Sequence, residues 1–388
     1  MTASKIYSSQ LQPLLLVLVL IFSCKESTKP ANCDPGFAPC ISNETVCCAD
    51  TTSHNFIWEI DTLGVSLNSW ANVWDVSILS DDDIWVSGTM PINPQEWQLA
   101  NCAHWNGSEW ELFEVSRGPG GYSPDTFYTI YAVDENNIWG MGPFLFNGTE
   151  WIYLNASPSD TWDSDGYIYD TWGNSPDNVY FSGGTGYEAG IGTVVHWNGS
   201  VFTKINPGTN SVLKSISGNS NHIYTCGNEL YSTPLSEHSV LYEYDEDSWS
   251  IILESHIYYG NIENNDFGLL KTLTCISDTL YVKSYAGLIK YNINTRQTVF
   301  LSDNEINAGS LEYVSISGNS PSDIMIFGQG IYLHYNGIDW YRDDTMFNSY
   351  FGSPNNLGIR AGQLKGDTAV FTGHMGGYAI VIRGHRVD

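Results

Sequence analysis

Basic residues are scarce in this chain. Only 15 Lys and Arg stand against 43 Asp and Glu in 388 residues, a formal net charge of −28. So negative a surface repels phosphate, which excludes nucleic acid as an expected partner. Long apolar runs are missing too. The longest in the N-terminal region, Leu14–Phe22, has nine residues, well short of the roughly 20 a membrane-spanning helix needs. Familiar catalytic signatures are absent: no G-x-S-x-G elbow, Walker loop, H-E-x-x-H or C-x-x-C pair occurs, and nothing repeats with helical periodicity. What the chain has is aromatic residues, at 14%, and 37 glycines. That composition belongs to a folded, turn-rich protein rather than a disordered one.

The short apolar run reads as part of an address. Residues 1–23 have the shape of an export signal, with Lys5 ahead of the apolar stretch. Ile21-Phe22-Ser23-Cys24 resembles the lipobox of bacterial lipoproteins, which implies acylation of Cys24 and tethering to a membrane surface. Residues 24–54 then form a cysteine-rich tether. Outside the cytoplasm, Cys33, Cys40, Cys47 and Cys48 are expected to form disulfides rather than a zinc site, with Cys47 and Cys48 each pairing to Cys33 or Cys40. The remaining Cys102, Cys226 and Cys275 read as buried thiols.

From residue 55 onward the chain repeats itself. A polar turn followed by an apolar strand ending in Gly recurs as LSDDDIWVSG (79–88), VDENNIWGMG (133–142), NSPDNVYFSG (174–183), NSNHIYTCG (219–227), NSPSDIMIFG (319–328) and KGDTAVFTG (365–373), with ISDTLYVKS (276–284) as a seventh, degenerate copy. A second half-unit, typified by AHWNGSEWELF (103–113) and VHWNGSVFTKI (195–205), places Asn-Gly between apolar strands, the signature of a hairpin with a type I′ turn. Four short strands in a period near 45 residues predict an all-β fold, a seven-bladed β-propeller. Its blades are expected near 72–115, 127–155, 168–206, 212–254, 269–301, 311–343 and 357–388. The last lacks a fourth strand, and NFIWEIDT (55–62) supplies it. This closing strand is expected to pair near residues 378–383, leaving no open edge.

The repeat separates scaffold from function. His104, His196 and His334 hold one position in successive blades and read as structural. Connections between first and second strands, and between third and fourth, are short; the others are long and share one face. That face is the expected binding surface. Its candidates are Trp97, Tyr122, Trp162, Tyr167, Tyr187, Tyr258, His374 and Tyr378, because amphipathic rings stack on sugars or clamp peptides at low entropic cost. Asp163, Asp165 and Asp170 in DTWDSDGYIYD (160–170) form a calcium candidate without the closing Glu of an EF-hand; a solvated acidic loop is the competing reading. No other cofactor is expected.

The stretch DTTSHNFIWEIDTLG (50–64), followed by SDDDIWVSG and HWNGSEWELF, resembles a group of bacterial lipoproteins from Bacteroidota- and Ignavibacteria-like lineages. Their members are taken as seven-bladed propellers and are often labelled glucosyltransferases. The resemblance spans roughly residues 20–388. It implies a lipid-anchored protein of the outer membrane or cell surface, but no sugar-nucleotide-binding pattern accompanies it. The function expected is therefore a monomeric extracytoplasmic binding module with a glycan or protein ligand. The alternatives are a glycan hydrolase or lyase using paired acids with His256 or His374 near the channel mouth, and a purely architectural surface protein.

Overall fold

The computed structural model describes residues 4–6, 37–42, 45–66, 71–93, 95, 98–116, 127–154, 167–185, 190–232, 235–245, 247–258, 267–308, 313–344 and 357–387. All regular structure among them is β-strand, dominated by seven antiparallel blades of four strands each, the first extended by a short fifth strand, with a separate two-stranded hairpin. The first strands of the blades are Asn72–Ser80, Tyr131–Asp134, Tyr167–Ser175, Val212–Gly218, Leu270–Ile276, Tyr313–Ser320 and Leu357–Lys365. Each touches the first strand of the next blade, and the seventh touches the first. The seven thus close a ring around a central axis, as expected of a β-propeller.

The hydrophobic core is not one mass but seven seams, one between each pair of neighbouring blades. The equivalent second-strand residues Trp85, Trp139, Tyr180, Tyr224, Tyr281, Met325 and Val370 are all buried in them. Trp139, for example, packs against Phe181 and Trp197 of the next blade. A blade has two faces, so its strands alternate sides and feed two seams at once. That is why the second strands read as almost continuous apolar runs.

Phe56–Leu63 forms the outer strand of blade 7 beside Tyr378–Arg386. Its register is three residues from the expected one: residues 56–61 lie opposite 381–386, with Phe56 facing Arg386 and Asp61 facing Val381. The last strand runs further than its repeat, carried by Val387 N–H donating to the Asn55 carbonyl. Arg383 stabilises the closure by donating to Asp61 at 2.6 Å and Glu59 at 3.0 Å, with its guanidinium 3.8 Å from the Trp105 ring centroid.

The Asn-Gly hairpins differ from expectation. Trp105 pairs with Trp110, leaving a four-residue loop. Only Gly107 is left-handed there, at φ 87°, and Asn106 is absent from the positive-φ residues, so the turn is not type I′. Instead the Asn106 carboxamide oxygen accepts the N–H groups of Ser108 and Glu109. Asn147, Asn198, Asn336 and Asp245 repeat the arrangement. The side chain satisfies backbone donors that a two-residue turn would have paired across the hairpin.

Two further elements precede the blades. Ser4–Ile6 pairs with the outer strand of blade 1, and Phe37–Ser42 forms a hairpin with Thr45–Asp50 in which Cys40 stands opposite Cys47.

Candidate functional site

The first strands explain how the ring is held and what it presents. Side chains at two alternate positions bond the backbone of the next blade. In the first belt, Asp75 accepts the Ile130 N–H at 3.0 Å, Asp170 accepts Ile216 N–H at 2.9 Å, Ser215 accepts Leu273 N–H at 3.2 Å and Ser315 donates to the Gly362 carbonyl at 2.9 Å. In the second, Ser77 accepts Ala132 N–H, Tyr131 donates to the Gly173 carbonyl, Ser217 accepts Cys275 N–H, Ser317 accepts Leu364 N–H and Gln363 accepts Ile78 N–H. These bonds satisfy the first-strand edges that would otherwise be left bare at the axis.

The residue just before the first belt is bulged in six of the seven blades. Register slips occur between Val73 and Asp75, Ile168 and Asp170, Leu213 and Ser215, Leu270 and Thr272, Tyr313 and Ser315, and Ile359 and Ala361. A bulge places two residues against one partner and re-aims the extra side chain. In five of the six bulged blades the terminal Gly of the repeat stands across from the residue before the bulge; blade 5 has Ser284 there. A Cβ on Gly183 would lie 1.8 Å from the Tyr167 carbonyl oxygen, and one on Gly88 would lie 2.2 Å from that of Asn72. The repeated glycine is therefore the imprint of the bulge.

The bulged residues are Trp74, Tyr169, Lys214, Lys271, Val314 and Arg360, and Tyr128 holds the matching place in blade 2. They lie near the starts of their strands, where the long blade-to-blade connections arrive, so they belong to the elaborated face. Their contacts run around the axis. Arg360 lies 4.8 Å from the Trp74 ring centroid, Trp74 meets Tyr128 at 5.4 Å, Tyr128 meets Tyr167 at 6.4 Å, Tyr167 meets Tyr169 at 6.2 Å, and Lys214 Nζ sits 3.8 Å over Tyr169. Lys271 follows, exposed. Blades 1 to 3 thus contribute aromatic rings and blades 4, 5 and 7 contribute cations. The indole Nε1 of Trp74 is buried without a hydrogen-bond partner.

Asp75 and Asp170 keep part of their surface open but lie deep within the ring of blades. Burial, reinforced by the Asp170 charge, pushes the Asp75 carboxyl up to about 7; burial pushes Asp170 up to about 6. Raised carboxyl pKa values mark candidate acid catalysts. Here both Asp170 oxygens are engaged, one with Thr171 N–H and the other with Ile216 N–H and the Ser215 hydroxyl. Neutral Ser215 and Ser315 occupy the same place in their own blades. The shared role is structural.

No protein-family model and no curated sequence relative matches the chain. Solved structures do. One is YCF48 bound to D1 peptide, at 13% identity and TM-score 0.55, covering 87% of this chain and 97% of that one. Another is the extracellular domain of a putative one component system from B. thetaiotaomicron, at 11% identity and TM-score 0.54, covering 84% of this chain and 40% of that one. At such identities the shared property is the fold. Fold does not carry function.

Of the residues singled out by sequence, Tyr167 joins the aromatic arc and is 44% exposed. His374 lies beside the arc: its Nδ1 is 3.3 Å from Asn72 Oδ1, and burial together with the Arg360 charge lowers its pKa. Tyr378, 41% exposed, begins the third strand of blade 7. His256 and Tyr258 fall on the outer strand Trp249–Tyr258, with their side chains outside the described residues. Trp97, Tyr122, Trp162, Tyr187, Asp163 and Asp165 also lie outside the described residues. Asp170 is a first-strand belt residue facing blade 4, where it accepts from Ile216 N–H and the Ser215 hydroxyl. Among the described residues no cluster of three metal-ligating side chains occurs. The strands Asp83–Asn93 and Gln98–Trp105 extend through most of the connection that contains Trp97.

The repeated histidines are framework. His104 stacks on Trp85 at 4.2 Å and bonds Asp83 at 2.9 Å; His196 stacks on Tyr180 at 4.3 Å and bonds Asn178 at 2.7 Å. Cys102 and Cys226 are buried free thiols, and Cys275 is a half-buried one. The bulge ring escaped sequence reading because its residue type changes from blade to blade. Aligning the first strands on their alternating Ser/Thr/Asp positions, as in WDVSI (74–78) and KSISG (214–218), would have exposed it.

Proposed function

We propose that this protein is an extracytoplasmic binding module, tethered to the bacterial outer membrane or cell surface through acylated Cys24, whose ligand docks at the channel mouth on the elaborated face. The ring of bulged side chains carries this reading. It gathers three of the chain's few cations and a continuous aromatic arc at the axis, on strands braced by two belts of inter-blade bonds. Two features support an extracytoplasmic setting: the lipobox-like segment, and a fold shared with an extracellular domain. That YCF48 holds a peptide on the same fold supports ligand capture as the activity.

Two measurements test the proposal. Expressed in a Gram-negative host, the full chain should incorporate labelled fatty acid and partition with membranes, and Cys24→Ser should abolish both. Screened against glycan and peptide arrays, the purified protein should find ligands whose binding is lost in Tyr167→Ala and Arg360→Gln. Ligands that bind equally to both variants would place the site elsewhere and refute the proposal.

A further inference from the structure

The ring is divided, and the division limits what can fill it. Around one half stand Trp74, Tyr128, Tyr167 and Tyr169; around the other stand Lys214, Lys271 and Arg360. Composition alone would place fewer than one of the 15 basic residues at seven equivalent positions, and three are there. The ring is a local cationic site in a strongly acidic protein. Lys214 and Arg360 sit at the two boundaries, each over a ring of the aromatic half, so charge and stacking surface adjoin at both junctions.

A ligand suited to this mouth carries a flat, C–H-rich face and an anionic group on one compact unit. We infer that the ligand is an acidic carbohydrate, a uronic-acid-bearing glycan, with a sugar face stacked on the Tyr128–Tyr167–Tyr169 arc and its carboxylate held at one of the two junctions, by Lys214 beside Tyr169 or by Arg360 beside Trp74. This rests on the reading of the mouth as the binding site. A uronate joins both requirements in a single pyranose: aromatic rings favour its C–H face, and Lys and Arg favour its carboxylate through charge-assisted hydrogen bonds. A peptide distributes its apolar and anionic groups over successive side chains, whereas these groups surround one opening.

The experiment is titration calorimetry of the full chain with oligogalacturonides, oligoglucuronides and alginate oligomers. Each is compared with its carboxyl-methylated form and with neutral oligosaccharides, alongside peptides with free and amidated C-termini. Binding to at least one free-acid series is expected. Methylation should weaken it tenfold or more, and so should Lys214→Gln or Arg360→Gln, with unchanged circular dichroism and melting temperature. Lys204→Gln, on the outer strand of blade 3, should leave it unchanged. Equal binding of acid and ester, or binding only of neutral glycans or peptides, overturns the uronate assignment; if the ring variants abolish that binding, the mouth remains the binding site. Ligands indifferent to every ring variant overturn both.

Discussion

The two belt carboxylates give the protein a pH-dependent stability that can be worked out from their positions. Asp75 holds Val76 N–H at 2.8 Å and Ile130 N–H at 3.0 Å, and its pKa rises from 3.8 to about 7 mainly through burial. Because the folded value lies above the unfolded one, its contribution is fully present below about pH 3.8 and is lost as the pH rises toward 7. Between those two values, raising the pH by one costs about 1.4 kcal/mol of stability. The interval from about pH 5 to 7 therefore removes about 2–3 kcal/mol, the lower figure allowing for screening by water in the channel. Asp75→Asn removes the titration. It also turns an amide N–H₂ toward one backbone donor, which costs about 1–3 kcal/mol at every pH. The assay is urea denaturation of wild type and Asp75→Asn at pH 5 and pH 8. Their difference should shift by about 2–3 kcal/mol in favour of the variant at the higher pH. A difference constant within about 0.5 kcal/mol, or one moving the other way, would refute the assignment of Asp75 as a buried, titrating inter-blade bond.

Other predictions concern the scaffold and its N-terminal attachments. Gly183→Ala, whose Cβ would meet the Tyr167 carbonyl oxygen at 1.8 Å, should lower stability by about 3 kcal/mol or more. Gly208→Ala, at φ 73° with nothing within 4 Å, should cost only about 1–2 kcal/mol by thermal melting. At the closing seam His54 Nδ1 and His334 Nδ1 are 2.8 Å apart, and burial plus the His334 charge lowers the His54 pKa below 6.5. The lowered value means stability present above pH 6.5 and lost below it. The protection factors of amides around residues 55–58, that is, exchange corrected for its intrinsic pH dependence, should therefore fall on acidification, and His54→Gln should flatten that response. In the hairpin Phe37–Ser42/Thr45–Asp50, the register opposing Cys40 and Cys47 leads us to expect a Cys40–Cys47 disulfide, leaving Cys33 for Cys48. Peptide mapping of secreted protein without reductant should find those two links.

The fold was legible because each seam asks for the same things in every blade. A large apolar side chain at the place of Trp85, Trp139 or Tyr180, a turn before it and a Gly after it recur at a readable spacing, and the missing outer strand announced Phe56–Leu63. The turn type was not legible. Asn-Gly suits a type I′ hairpin, but the Asn106 carboxamide could cap two N–H groups, and that alternative won. The register of closure depended on how far Tyr378–Arg386 continues past its repeat, which is set by contacts with Asn55 and Asp323 far away in sequence.

Sequence alone determined the architecture, seven blades and the strand that closes them, because burial and turn chemistry act locally and repeat. It also identified the face that carries the long connections. Only the tertiary structure decided which residues meet at the axis. Trp74, Tyr128, Tyr169, Lys214, Lys271 and Arg360 are separated by some 40 to 90 residues along the chain and share no residue type. They become neighbours because the first strands converge on one shared opening, with a bulge turning the side chain inward in every blade but the second, and most of these bulges are marked in the sequence only by a glycine on the facing strand.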